Sequence, residues 1–276
     1  MTMAALRSEL SKLYRQRITW VSFVIVLALV GLITWGSHHE RDRLDVSDEF
    51  GSQFVVAGKT VTALFVANAV MQVALTVLVP LLIAVVVGAL VAGERQSGTL
   101  RMLLSRPVAR WKVLLAKLAT SAAFTVSLTL LLGLAGLGLG QIVFGWGDLV
   151  VLRGGLTIFE PQMGLVRLAQ AYGLACVAMC SVAALALMLS TIFNNPMTAA
   201  GLTVAFLLVS QIVGVMPHFD SIQPHLLTTH LDIHREVLAA DVDRAALLTS
   251  AQYLAGYIAA ASTIALVVFD RRDVTC

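Results

Sequence analysis

Long apolar segments without a single charged residue constrain the fold of this chain more than any other feature. One such segment runs from Val61 to Gly93 and another from Leu118 to Trp146. A helix of about 20 apolar residues is long enough to cross the roughly 30 Å hydrocarbon core of a bilayer. Inside a bilayer every backbone polar group needs a local partner, which a helix provides and an open strand does not. The sequence therefore predicts an α-helical membrane protein.

The composition agrees with this prediction. The 276 residues are 58% hydrophobic and 13% charged, whereas soluble domains are about half apolar and about 25% charged. The predicted fold class is all-α: a polytopic membrane protein with six transmembrane helices, which forms a single membrane domain over residues 1–276. The six predicted spans are 18–36, 64–92, 116–144, 166–193, 197–217 and 248–269.

The distribution of basic residues predicts the orientation. Most of the 19 Lys and Arg residues fall on the side that would hold the N-terminus, and such loops usually face the cytoplasm. We therefore expect both termini to be cytoplasmic, in a protein of the cell inner (cytoplasmic) membrane. The net charge of +3 then reflects sidedness, and nucleic acid is not expected as a partner.

Three further segments have recognisable patterns. Residues 1–17 place apolar side chains on one arc and basic side chains on the other, as in a helix that lies on anionic lipid. Residues 145–165 are expected to form an outer loop. Residues 218–247 hold four of the six histidines and predict a pair of short helices at the outer surface. Gly136 and Gly140 form a GxxxG step, which favours close helix packing within the chain or across a dimer.

The segment 94–110 separates the second and third predicted spans. Gly98 ends the preceding helix, Leu100, Leu103 and Leu104 recur at helical spacing, and Pro107 ends the short helix they form. From the residues alone, two interpretations stay open. The leucines of this short helix bind a groove on a soluble partner, or the segment is a basic loop folded against lipid headgroups.

The order of residues in this segment resembles the signature of type-2 ABC transporter permeases. The resemblance is closest to the branch that includes the NosY-like copper-site maturation permease and many exporters. It implies that residues 94–110 are a coupling helix in contact with a nucleotide-binding subunit, and that residues 1–17 are an elbow helix beside it. The docking residues it implies are Glu94, Gly98, Thr99, Leu100, Arg101, Leu103, Leu104, Pro107 and Arg110.

The sequence has no GxxxxGK[ST] phosphate-binding loop. We therefore expect no enzyme activity in this chain, with ATP and Mg bound by a separate ABC ATPase present in two copies. Two ATPase copies imply a second permease copy, either identical or related. Membrane lipid is the remaining expected partner.

The predicted function is the permease subunit of an ATP-driven exporter. The spans lack the internal Asp and Glu residues that ion-coupled carriers use, which favours an amphipathic cargo. The alternative is a mechanotransmitting permease, which drives an extracytoplasmic partner protein without moving cargo through itself. Four polar residues in or near the spans are candidates to line a cavity, and each is equally compatible with interhelical contacts: Asn68, Gln72, Gln141 and Gln211.

Histidines provide a weaker hypothesis. His230 and His234 have the spacing of a helical metal-binding pair. Histidines in a polar loop more often serve no metal, so no metal site is expected.

Overall fold

The computed structural model describes residues 3–39, 61–99, 109–152, 156–217, 221–239 and 242–271. Within these ranges, six helices are long and apolar enough to cross a membrane. An amphipathic helix, α1 (Met3–Arg15), precedes them. The six spans are α2 (Arg17–His39), α3 (Ala63–Gln96), α4 (Arg110–Phe144), α5 (Pro161–Ile192), α6 (Pro196–Val215) and α9 (Arg244–Arg271). This confirms the predicted all-α, polytopic fold.

Successive spans run in opposite directions, so their ends form two groups. We call the end that carries Arg17, Arg95, Arg110 and Arg271 the basic end. The opposite end carries a two-stranded antiparallel hairpin between α4 and α5, and we call it the hairpin end. Its strands are β1 (Leu149–Leu152) and β2 (Leu156–Phe159). The prediction of an outer loop over 145–165 missed this hairpin, although two short β-branched apolar stretches flank Gly154 and Gly155.

Short helices also lie at the hairpin end, as the sequence predicted for 218–247. They are a 3₁₀ turn at Gln223–His225, α7 (Leu227–Leu231) and α8 (Ile233–Glu236). They pack against α5, α6 and α9, and we call them the roof.

The helices α3 and α5 form the centre of the bundle. In each of them 61% of the most apolar window is buried inside the chain, against 17% in α6 and 22% in α9. The helix α3 packs against α4, α5 and α6, whereas α9 packs on α5 and α2 packs on α4. The side of α6 that faces away from the chain is left open.

The helix α3 is irregular at its centre. Residues Ala74–Leu78 form a π-helical turn, and Pro80 follows two residues later. Proline cannot donate the backbone hydrogen bond of a regular helix, and in membrane helices a local π adjustment is one way to satisfy the backbone groups that are left without a partner. Two spans begin at a proline, which suits the first helical position. In α6 the preceding Asn195 caps the helix, because its Oδ1 accepts from the Met197 amide at 2.9 Å.

Candidate functional site

The signature segment begins where α3 ends. Gly98 has a φ of +72°, a left-handed conformation that glycine adopts without a steric penalty. Its amide donates to the Arg95 carbonyl at 3.1 Å, as at many helix C-termini. The Thr99 hydroxyl donates to the Glu94 carbonyl at 3.2 Å. Gly98 and Thr99 therefore end α3 and set the direction in which the chain leaves it.

The Glu94 side chain points toward α1 and α4. Its Oε2 lies 2.8 Å from Lys117 Nζ, an ion pair by distance without the alignment of a hydrogen bond. Its Oε1 accepts from Lys12 Nζ at 3.4 Å. Glu9 on α1 contacts both cations, at 2.8 Å from Lys12 and 3.1 Å from Lys117. We call Glu9, Lys12, Glu94 and Lys117 the ion cluster.

Lys117 is the centre of the ion cluster. Its side chain is fully buried, and its Nζ also donates to the Leu90 carbonyl of α3 at 2.8 Å. An isolated buried ammonium is very costly, so it persists only where carboxylates and hydrogen bonds replace water. One lysine of α4 thus joins α1, α3 and α4 at the basic end.

The ion cluster also shifts the protonation of its α1 members. Burial by itself raises the pKa of Glu9, but the attraction of Lys117 and the hydrogen bonds from both lysines outweigh it, so the pKa is lowered. For Lys12, burial lowers the pKa, but the hydrogen bond to Glu9 and the attraction of Glu94 outweigh it, so the pKa is raised. Both groups are held in their charged forms near neutral pH.

The helix α5 holds the same end of α3 from the other side. The Ser190 hydroxyl donates to the Gly88 carbonyl at 2.6 Å and accepts from the Val91 and Ala92 amides at 3.1 and 3.0 Å. Arg95 donates to the Asn194 side chain at 3.0 Å. The last two turns of α3 are therefore attached to α1, α4 and α5.

Five of the predicted docking residues lie outside the described residues: Leu100, Arg101, Leu103, Leu104 and Pro107. The chain is described again from Ala109. Arg110 Nη1 donates to the Asp270 carbonyl at 3.0 Å, so the start of α4 contacts the end of α9. The described residues on both sides of 100–108 are thus anchored to the bundle.

A cavity of about 490 Å³ lies between α3 and α6 under the roof. We call it the roofed cavity. Its lower wall is apolar and includes Val77, Leu81 and Leu208, and its polar residues gather near the roof. The polar lining residues are Thr76, Gln211, Thr228, Thr229, Asp232 and Arg235. Its volume lies within the range of about 300–1,000 Å³ that is typical of ligand sites.

A smaller cavity of about 360 Å³ lies between α3 and the hairpin, and Asn68, Gln72 and Arg235 line it. Gln72 donates to the Asn68 side chain at 3.3 Å. Three of the four predicted cavity residues therefore line a cavity: Asn68, Gln72 and Gln211. Gln141 is exposed on α4 and lines neither cavity.

The two candidate metal-binding histidines lie in the roof and are buried. His230 Nε2 lies 2.8 Å from the Pro224 carbonyl and Nδ1 lies 3.1 Å from Ser250 Oγ. Its ring stacks on Tyr253 of α9 with the centroids 4.4 Å apart. His234 Nδ1 lies 3.3 Å from the Leu231 carbonyl. In the described part of the chain, no group of three or more His, Cys, Asp and Glu residues has a geometry suited to a metal ion.

Reasoning from the sequence did not find the partners of Glu94. Glu9 and Lys12 have helical (i, i+3) spacing on α1, and Lys117 lies at the edge of a predicted span. From these positions the sequence indicated a charged face on α1 and the boundary of a span. It did not indicate that the three side chains contact Glu94. Arg235 likewise lies in the segment 218–247, for which the sequence predicted only short helices at the outer surface.

These features define a class: a multi-pass α-helical membrane protein with an amphipathic helix held against the basic end of its second and third spans. The chain belongs to the ABC-2 family of transporter proteins, whose family model matches residues 3–274. It is accordingly a membrane protein of this transporter family. The recognised resemblance to type-2 ABC permeases is thereby confirmed.

A similar protein is the uncharacterized protein YhcI of Bacillus subtilis (strain 168). The two chains are 29% identical over 209 residues, which cover 72% of this chain and 66% of YhcI. This chain thus matches slightly less than two thirds of that relative's length.

Proposed function

We propose that this permease is an exporter subunit driven by a separate ATPase that binds residues 94–110 from the cytoplasm. The ion cluster is the observation that carries the proposal. It attaches α1, α3 and α4 to one another where the chain enters this segment, so a displacement of the segment acts on three helices at once. ATP and Mg bind in the ATPase subunit, and the basic end faces the cytoplasm with both termini.

The docking is tested by the double substitution Leu103→Asp and Leu104→Asp. Two carboxylates in an apolar groove are costly, so we expect the ABC ATPase partner to be lost on co-purification, while the permease still folds. Leu248→Asp is the control, because Leu248 is exposed at the hairpin end of α9. Normal co-purification of the double variant would contradict docking at this segment.

The orientation is tested independently. A cysteine at Ser105, in a variant whose native cysteines (Cys176, Cys180 and Cys276) are replaced, should resist a membrane-impermeant maleimide in intact cells and react after permeabilisation. A cysteine at Thr228 in the roof should react in both. The reverse pattern would place the ATPase-binding segment on the wrong side of the membrane.

We propose in addition that a second permease copy covers the open side of α3 and α6. Val73, Val77, Leu81 and Val85 form an exposed stripe at i, i+4 spacing on α3. Lipid alone would cover an apolar stripe equally well, but the roofed cavity opens between α3 and α6 and carries the Gln211 amide and the Thr76 hydroxyl. A second copy would shield these polar groups from hydrocarbon.

The second copy is tested by cross-linking. In the cysteine-free variant, Val77→Cys and Leu208→Cys should each give a disulfide-linked dimer in native membranes, whereas a cysteine at the exposed Leu134 of α4 should not. Cross-linking from Leu134 alone would move the interface to α4.

The roofed cavity favours movement of cargo through the subunit over a purely force-transmitting function. Its apolar wall and polar roof suit an amphipathic molecule. Substitution of Gln211 by Leu is expected to change cargo-stimulated ATP hydrolysis and to leave the basal ATPase rate of the assembled complex unchanged.

A further inference from the structure

Arg235 is unusual among the polar residues of the roof, because it lines both the roofed cavity and the smaller cavity beside it. Its Nη1 forms an ion pair with Asp232 Oδ2 at 3.2 Å. Its Nε is buried and makes no hydrogen bond with any residue that the structure describes. A guanidinium has five N–H donors in a rigid fork, so Asp232 engages only part of Arg235, whose side chain is 33% exposed and lines both cavities.

The roof that carries Arg235 is held firmly in place. His230 attaches α7 to α9 through Ser250 and Tyr253. On the other side, Arg167 of α5 donates to the Val237 carbonyl at 3.1 Å, directly after α8. Because the residues before and after α8 are anchored, the Arg235 guanidinium is already held in place. Little side-chain entropy is therefore lost when a ligand binds to it.

The cavity below Arg235 has a graded lining. Hydroxyl and amide groups of Thr228, Thr229 and Gln211 surround the upper part, and Val204, Leu207 and Leu208 line the lower part together with α3. The helices α3 and α6 approach closely further down, where a Cβ on Gly88 would lie 3.1 Å from the Ala200 amide nitrogen. The apolar part therefore narrows away from the charged part.

We propose that the roofed cavity binds a single-chain amphiphile with an anionic headgroup, a phosphate or a carboxylate, and that Arg235 holds the headgroup. The planar fork of arginine matches both groups in a bidentate manner. Asp232 competes with the headgroup for Arg235 and weakens binding enough for release. This inference rests on the proposed exporter function, since it names the chemistry of the cargo.

Binding is measured on the full chain in phosphatidylcholine nanodiscs, with empty nanodiscs subtracted. The probes are radiolabelled monododecyl phosphate and dodecyltrimethylammonium, which share a chain length and differ in charge. We expect the wild-type protein to prefer the phosphate. Arg235→Gln should weaken phosphate binding about tenfold or more, the range for loss of a charge-assisted contact. Asp232→Asn should strengthen it.

The matched control is Arg244→Gln, which removes an exposed arginine at the same end of the molecule and should leave both affinities unchanged. Inorganic phosphate should compete poorly, because it lacks the chain that fills the apolar part. Equal affinity for the two probes, an equal loss in Arg244→Gln, or full competition by inorganic phosphate would each overturn the proposal. If Arg235→Gln does not fold, Asp232→Asn decides, because unchanged affinity there excludes a headgroup on Arg235.

The outcome separates this inference from the function on which it rests. A complex that binds its ATPase and hydrolyses ATP but shows no preference for the anionic probe leaves the exporter standing with a different cargo. Anion binding by a permease that fails to bind the ATPase leaves the site standing without the proposed coupling.

Discussion

The two ends of α3 are attached to their neighbours by different kinds of interaction. At the basic end the contacts are polar: Glu94 and the Leu90 carbonyl meet Lys117, and Ser190 bonds the backbone from Gly88 onward. Several of the charges, Lys12 among them, remain partly in contact with water.

At the hairpin end α3 is held by close packing of small residues. A Cβ on Gly140 would lie 2.9 Å from Ala63 Cα, and one on Gly136 would lie 3.2 Å from Ala67 Cα. Three hydrogen bonds add to this packing: the Tyr172 hydroxyl donates to the Ala67 carbonyl at 2.9 Å, the Ala63 amide to the Gly145 carbonyl at 3.1 Å, and the Thr62 hydroxyl to the Asp148 carbonyl at 2.8 Å. The GxxxG step of α4 therefore serves packing within the chain.

The two kinds of attachment respond differently to changes in pH and ionic strength. Close packing depends on steep, short-range contacts, which ionic strength and pH hardly affect. Ion pairs act over longer distances and depend on protonation and salt. The end of α3 beside the signature segment is thus the end whose attachments can be altered, while the hairpin end serves as a fixed point.

The largest expected effect follows from Lys117→Met. The substitution leaves the nearly buried Glu9 carboxylate without its central cation, and breaking a buried pair in this way costs about 3–5 kcal/mol. This loss is measured as the difference in unfolding free energy between Lys117→Met and the wild type in mixed micelles.

Lys12→Met is the matched comparison. Lys12 contacts the same two carboxylates, but its side chain is 46% exposed, and exposed pairs contribute about 0–1 kcal/mol. Equal losses in the two variants would show that burial does not set the strength of the ion cluster.

The sequence predicted the two ends of α3 unequally well. The hairpin end followed from a local pattern, since a GxxxG step in an apolar helix indicates close packing whichever helix it meets. The basic end depends on contacts far apart in the chain: Glu9 and Lys117 are separated by 108 positions. A single sequence carries no signal for such a pairing.

The residues that line the cavities were also predicted only in part from the sequence. Asn68, Gln72 and Gln211 were singled out because polar residues are costly in spans, and each lines a cavity. Gln141 satisfied the same criterion, but it is exposed near the end of α4, where water or headgroups can solvate it. Arg235 was missed because a charge in a polar loop carries no such cost until the loop folds over the bundle.

Close packing at the hairpin end is tested by Gly140→Ala. The new methyl group meets the Ala63 backbone, which cannot rotate away as a side chain does, so we expect a loss of about 1–3 kcal/mol in unfolding free energy. Gly138→Ala is the control two residues away, because a Cβ there meets nothing within 4 Å. If Gly140→Ala and Gly138→Ala have similar unfolding free energies, close packing of small residues does not hold the hairpin end of α3.

The helix terminus at the basic end is tested by Gly98→Ala. A Cβ at Gly98 meets no neighbour, so the expected cost of about 1–2 kcal/mol comes from the left-handed backbone alone. Gly98→Asn should be milder, because asparagine tolerates this conformation. We expect the alanine variant to impair cargo-stimulated ATP hydrolysis more than asparagine does. The opposite order would indicate that the side chain at this position matters more than the direction of the chain.

The smallest expected effect is a pH dependence confined to the basic end. The lowered pKa of Glu9 means that its contribution to stability is present above the ordinary glutamate pKa of about 4.3 and is lost as the pH falls through the lowered value. The raised pKa of Lys12 means that its contribution is present below about 10.4 and is lost as the pH rises through the raised value.

A nitroxide on the exposed Ser11 of α1 should therefore keep constant mobility between about pH 5 and 10 and become more mobile below that range. In Glu9→Gln the acid step should disappear, whereas a nitroxide on Gly138 at the hairpin end should show no step in either protein. An acid step that persists in Glu9→Gln would assign the pH response to another carboxylate, and one seen equally at Gly138 would mean that acid loosens both ends of α3 alike.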